Sequence, residues 1–244
     1  MLVFWGECTF FITFVRIPHA NSYMDQLHFF SQKSIPEPTL RRLPWYLAYL
    51  KLEADLGADF VSSTQISRAI NVSASQIAKD LSLVNVSGKT RVGYDVLELV
   101  DVLETFLGFK SAHQAFLFGV GSLGGALLHD KGLMQYGMEI VAGFDVNPNI
   151  VGTYIDDLPI YHMEEFPKKQ AELNVPIGIL TVPIDQAQHT AEQIVKGGVK
   201  AIWNFTPYRI RLPKHIVVQN TSIYAHLAVM FNRLGISKKV QKKI

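Results

Sequence analysis

Apolar and polar residues along the chain follow two different rhythms, and the change between them falls near residue 109. In LRRLPWYLAYLKLEADL, residues 40–56, Leu43, Leu47, Leu50 and Ala54 recur at the spacing of one helix face, with Pro44 suited to a first turn. VSSTQISRAINVSASQIAKDLSLV then predicts two short helices interrupted by NVS, with Ser63 capping the first and Ser73 the second. NVSGKTRVGYDV sets Gly88 and Gly93 around basic residues in the manner of a hairpin wing, and VLELVDVLETFLG predicts a closing helix ending at Gly108. The block 24–108 is thus expected to be a winged-helix domain.

Beyond GFKSAH, short apolar runs alternate with helical stretches. QAFLFGV, MEIVAGFDV, VPIGILTVP, VKAIWNFTP and IVVQN predict buried parallel strands, and LGGALLHDKGLMQY, MEEFPKKQAEL and DQAQHTAEQIVKGG predict the crossover helices between them. This alternation predicts an α/β fold, a doubly wound parallel sheet of Rossmann type, over residues 109–220. The last helix, TSIYAHLAVMFNRLG, is apolar on more than one face and needs a partner to bury it. With the basic tail KKVQKKI it forms the segment 221–244.

Composition narrows the classes without choosing among them. The chain has 244 residues, 48% of them hydrophobic and 18% charged, enough for two modest domains. A net charge of +2 is too small to indicate nucleic acid by itself, so charge is informative only locally. Between Ser62 and Tyr94, four basic residues (Arg68, Lys79, Lys89 and Arg91) face a single acid, Asp80. Cys8 is the only cysteine, which excludes an internal disulfide or a cysteine zinc site and suits a reducing cytoplasm. Residues 1–23 are apolar but contain Glu7 and lack a basic leader, so they read as an extension upstream of a start at Met24 rather than a membrane anchor.

The candidate chemistry lies at the glycines. Gly119, Gly121 and Gly124 form G-x-G-x-x-G directly after a predicted strand and before a predicted helix, with Ser122 and Leu123 inside the turn. The first glycine permits the tight turn, the second lets backbone approach a pyrophosphate, and the third lets helix and strand pack closely. Asp145, about 20 residues on, ends the next strand where an acid holds ribose hydroxyls and disfavours a 2′-phosphate, pointing to NAD(H). Thr181, Val182, Pro183, Asn204 and Phe205 end later strands at the same edge. On the DNA side, Ser63, Ser73, Ser75, Gln76 and Lys79 of the two short helices, and Lys89 and Arg91 of the wing, are expected to meet phosphates or base edges. His113, His129, His162, His189, His215 and His226 are scattered, with no metal-ligand spacing or catalytic pairing, so neither a metal nor an enzyme is expected.

IPEPTLRRLPWYLAYL, SSTQISRAINVSASQIAKDLS, RVGYDV, GVGSLGGAL, FDVNP, TVPIDQAQ and NFTP, in that order, resemble the Rex family of bacterial redox-sensing repressors over about residues 35–234. The resemblance implies a homodimer on operator DNA, a C-terminal helix exchanged between protomers, and release from DNA when NADH binds. It also implies a redox relay whose members by position are Tyr94, Lys51 and Ser222, with Tyr94, Phe205 and the partner protomer's Ile223 walling the nicotinamide. Lys51 and Ser222 stand where the family has an arginine and an aspartate, Ala78 where it commonly has an arginine, and Leu83 and Val84 where it has tyrosine and phenylalanine. The residues themselves leave a second reading open: an NAD-dependent oxidoreductase, or a CoA-binding-type Rossmann protein with a helical assembly domain. An enzyme would have no need of the wing and second helix.

Overall fold

Burial of one face holds the first helix together in spite of an internal proline. In the computed structural model, which describes residues 35–235, α1 runs Glu37–Asp55 with Pro38 near its start and Pro44 in its interior. Pro44 was expected in the first turn; instead the helix begins two turns earlier. An interior proline costs about 3 kcal/mol. Leu43, Tyr46, Leu47 and Leu50, all fully buried, each contribute roughly 1.5–3 kcal/mol, so burial prevails. The extension 1–23 and the basic tail lie outside the described residues.

The described residues divide into two units, one ending at Leu103 and the other beginning at Glu104. In the first, α1 is followed by β1 (Phe60–Val61), α2 (Ser63–Ile70), α3 (Ala74–Leu83), β2 (Tyr94–Asp95) and α4 (Val96–Leu107), whose last residues enter the second unit. β1 and β2 pair antiparallel. Ser62, not Ser63, caps α2: its hydroxyl accepts from the Gln65 amide while the Gln65 side chain accepts from the Ser62 amide. The sequence SST offers three successive hydroxyls, and only the reciprocal bond with Gln65 selects Ser62 among them. Ser73 caps α3 as expected, accepting from the Gln76 amide. Asn71, in the left-handed conformation at φ 55°, makes the turn between the two helices.

The second unit contains a seven-stranded sheet in the order β5-β6-β4-β3-β7-β8-β9. Its strands are β3 (His113–Phe118), β4 (Met138–Asp145), β5 (Tyr154–Ile155), β6 (Leu158–His162), β7 (Ile177–Leu180), β8 (Ala201–Asn204) and β9 (Val217–Asn220). All pairs are parallel except β5 with β6. Alternation along β3 feeds two cores, one on each face: Ala115 and Leu117 pack with Ile140, Ile160 and Ile179, while Phe116 and Phe118 pack with Phe144 and Phe166. The four phenylalanines interlock, with Phe118 and Phe144 stacked at 5.2 Å. The segment expected to form one helix after the glycines breaks at Asp130 into α5 (Ser122–His129) and the single turn α6 (Gly132–Gln135). Then come α7 (Phe166–Leu173), α8 (Ala187–Lys196) and α9 (Ile223–Arg233). The β5–β6 hairpin was not anticipated; Asp156 at φ 49° turns it, and its strands are too short to show a pattern. β9, expected to be buried, is a largely exposed edge strand.

One charge is enclosed in the first unit. Asp80 of α3, fully buried, accepts hydrogen bonds from Arg42 Nε at 2.7 Å and Nη2 at 2.8 Å, Tyr46 Oη at 2.7 Å, Gln76 Nε2 at 2.9 Å and Thr39 Oγ1 at 3.0 Å. Three of the donors come from α1, so the carboxylate clamps α3 to it. Burial alone would push the Asp80 carboxyl up, but these hydrogen bonds, led by Arg42, outweigh it and hold it down at about 2. Because the folded value lies below the unfolded one of about 3.9, the stabilisation is complete above about pH 4 and is lost as pH falls toward 2. The shift corresponds to about 2 kcal/mol. Hydrogen exchange of α1 and α3 amides should therefore show protection falling by about that amount between pH 4 and pH 2. Asp80→Asn, which strands the Arg42 charge, should lower protection at neutral pH by about 3 kcal/mol and abolish the acid-dependent step.

Candidate functional site

The turn between β3 and α5 is as tight as its glycines allow. Gly119 sits at φ +94°, and a Cβ there would lie 2.8 Å from the Val182 amide nitrogen. A Cβ on Gly124 would lie 2.1 Å from the Gly119 carbonyl oxygen, so α5 rests directly on the loop. At Gly121 a Cβ would meet nothing within 4 Å, because that position faces open space. Gly121 is also the cap residue of α5 and has no side chain to satisfy the first-turn amides, which remain free for an anion.

This turn forms one wall of a cavity of about 750 Å³ at the carboxyl ends of β3, β4, β7 and β8. β4 and β7 flank β3 on opposite sides, so the cavity lies where the strand order reverses, the usual ligand position in open α/β sheets. Gly119, Gly121, Leu123, Asp145, Thr181, Val182, Pro183 and Phe205 all line it. Asp145 is engaged as well as exposed to it. Its Oδ2 accepts from the Val120 amide at 2.6 Å, and Oδ1 accepts from Val146 and Asn147 at 2.8 Å each. Thr181 Oγ1 donates to the Gly119 carbonyl at 2.7 Å. The Phe205 ring packs on Trp203 at 4.6 Å.

Other expected site residues lie elsewhere. Asn204 is fully buried and does not line the cavity: it donates to the Tyr208 carbonyl and Asn220 Oδ1 and accepts from Thr206, shaping the loop after β8. Ser122 is exposed at the first position of α5, outside the lining. Tyr94 belongs to the first unit, whereas every lining residue comes from the second. Ile223, expected from a partner protomer, lines the cavity from the chain's own α9 together with Tyr224. Ile150, Met163, Ile184 and Gln186 also line it and were missed. Ile184 and Gln186 lie within the motif TVPIDQAQ, so their signal was available; Met163 opens the segment read as a helix, whose first three residues, Met163–Glu165, form a 3-10 turn.

In the first unit, Arg68, Lys79, Lys89 and Arg91 are exposed while Asp80 is buried against Arg42. The acid that seemed to offset them is therefore absent from the surface, which leaves four exposed basic side chains in this stretch. Ser73 and Ser75 lie 3.3 Å apart at the start of α3, with Gln76 one residue on and Lys79 a turn later. Ser63 opens α2. In the wing, the Lys89 and Gly93 backbones pair, Arg91 turns at φ 66°, and Lys89 Nζ stands 5.8 Å from the centre of the Phe60 ring. The Tyr94 ring packs against Gly88 there, and burial pushes its hydroxyl above the ordinary tyrosine range. Lys51 is half-buried on α1, and Ser222 caps α9 by accepting from the Ala225 amide. Among the described residues there is no cluster of side chains suited to a metal ion and no helix long and apolar enough to cross a membrane.

Two family models match the chain: a putative DNA-binding protein N-terminus over residues 34–82 and a CoA binding domain over residues 110–208. The redox-sensing transcriptional repressor Rex of Bacteroides thetaiotaomicron is 65% identical over 204 residues, covering 84% of this chain and 93% of its own. That of Porphyromonas gingivalis strain W83 is 59% identical, covering 84% and 94%. Among solved structures, RSP in complex with β-NAD+ and operator DNA superposes with a TM-score of 0.81 at 31% identity, covering 86% of this chain and 97% of RSP. RSP in complex with β-NADH gives 0.75 at 31% identity, covering 87% and 100%. With an identity this high over nearly the full length of its relatives, the chain belongs to the Rex family of redox-sensing transcriptional repressors.

Proposed function

We propose that this chain represses transcription as a homodimer on operator DNA and leaves the DNA when NADH fills the cavity beside the glycine turn. The observation that carries the reading is the union in one chain of that cavity and a basic helix-turn-helix face, in a family whose member RSP has been seen with β-NAD+ on operator DNA and with β-NADH. In this reading the pyrophosphate lies over Gly121 and the α5 amides, and Asp145 takes the adenosine ribose. Phe205, Ile223 and the Thr181–Pro183 segment surround the nicotinamide. An apolar wall favours the uncharged reduced ring over the cationic oxidised one, whose desolvation costs more. Ser73, Ser75, Gln76, Lys79, Lys89 and Arg91 face the DNA in the cytoplasm, where operator and nicotinamide pool meet.

Preference for NADH changes DNA affinity only if the reduced cofactor also favours a protomer arrangement that misplaces the two recognition helices. We assign Tyr94 to couple the two, since its ring supports the wing and its hydroxyl makes no hydrogen bond among the described residues. Ser222 lacks the charge of the family's aspartate, while Lys51 keeps the arginine's charge without its forked donors, so the coupling is modest. The dimer reading rests on α9. None of its residues is buried, and Ile223, Tyr224, Val229, Met230 and Phe231 are all exposed, an apolar surface that a second copy would cover.

Three measurements test this reading. Gly121→Val should lower NADH affinity by calorimetry at least about tenfold while leaving thermal stability unchanged, because the branched side chain enters ligand space and not protein. Asp145→Ala should also weaken NADH and narrow its advantage over NADPH. Operator affinity at fixed salt should fall roughly tenfold with saturating NADH relative to saturating NAD+, and Tyr94→Phe should shrink that ratio; equal affinities in both ligand states would refute the sensor. Deleting residues 221–244 should convert dimers to monomers or insoluble protein in sedimentation, and a soluble dimer would contradict the role of α9.

A further inference from the structure

We infer that Gln76 selects, at one position in each operator half-site, a base that carries an exocyclic amine, adenine or cytosine, through its Oε1, and that Asp80 fixes that orientation. The inference rests on the DNA-binding reading above and adds to it the chemistry of one base contact. Gln76 is the third residue of α3, and in helix-turn-helix proteins the first residues of the second helix are those that meet base edges. A free glutamine is ambiguous in the groove, since one end of its amide accepts and the other donates.

Here the ambiguity is removed from inside the protein. Gln76 Nε2 lies 2.9 Å from Asp80 Oδ1. Asp80 is ionised, because Arg42, Tyr46, Gln76 and Thr39 all donate to it, and an ionised carboxylate can only accept. Turning the amide over would set Oε1 against Oδ1, two acceptors at hydrogen-bond distance inside a buried site. One Nε2 hydrogen is therefore committed inward and the amide cannot turn over; the second hydrogen is matched by adenine N7, which lies beside the N6 amine. Gln76 Oε1 makes no hydrogen bond among the described residues and is not enclosed, so it is left as the acceptor presented outward. In the major groove the complementary donors are adenine N6 and cytosine N4, whereas guanine O6 and N7 and thymine O4 would oppose it. Lys79, a turn further along α3, has donors and no acceptor, so it cannot make this contact to an exocyclic amine.

The test is a cycle between a side chain and a base amine. A duplex is selected with the full-length protein from a random-sequence library, and each adenine or cytosine of a half-site is then replaced, one at a time, by purine or 2-pyrimidinone, which lack only the amine. Wild type should lose about tenfold in affinity at one position beyond the general loss at the others. Gln76→Ala should show no such excess there, since the weakened base pairing is common to both proteins and cancels. The inference is overturned if Gln76→Ala binds the selected duplex with the same excess loss as wild type, or if no position couples to Gln76 while binding persists. Failure to select any duplex would instead overturn the DNA-binding reading on which it rests.

Discussion

The Gly119 carbonyl is the point at which the ligand-binding unit is assembled. It receives the Thr181 hydroxyl from the end of β7, and α5 lies on it at a distance only Gly124 permits. The next residue, Val120, donates its amide to Asp145 at the end of β4. Three strand ends and one helix are thus tied to a single turn of chain. A side chain at Gly119 or Gly124 would separate them, whereas one at Gly121 would meet no protein atom and enter the cavity.

Each unit is organised by one aspartate, and their surroundings give them different uses. Asp80 is wholly enclosed, with its donors drawn from α1 and α3, and its charge is spent on holding the recognition helix in place. Asp145 uses both oxygens on backbone amides yet lines the cavity, where a ligand hydroxyl can still find a lone pair. The first is a structural charge whose loss exposes Arg42 to an unpaired burial. The second ties the end of β4 to the glycine loop at the cavity's edge.

The chain leaves α9 in a condition that a monomer rarely tolerates. Its first residues reach the cavity, while the remainder presents large apolar side chains to solvent. One element therefore borders the cavity and carries an exposed apolar surface.

Local spacing made much of this legible before any coordinates. The i, i+3, i+4 run of α1, the strand–glycine–helix succession at 118–124 and the acid ending β4 are properties of neighbours in sequence, and the resemblance to Rex drew on the same contiguous motifs. What sequence could not determine are the outcomes that depend on residues far apart along the chain. Asp80 counted as a surface acid until α1 brought Arg42, Tyr46 and Thr39 around it, some 40 positions away. Asn204 had the position of a ligand contact, but bonds to Tyr208 and Asn220 turned it inward. Ser62 rather than Ser63 became the cap because only one of two neighbouring hydroxyls had the geometry to reach the Gln65 amide. Burial and hydrogen-bond partnership are properties of the folded contact set, and that set decided whether each polar residue serves the structure or faces a ligand.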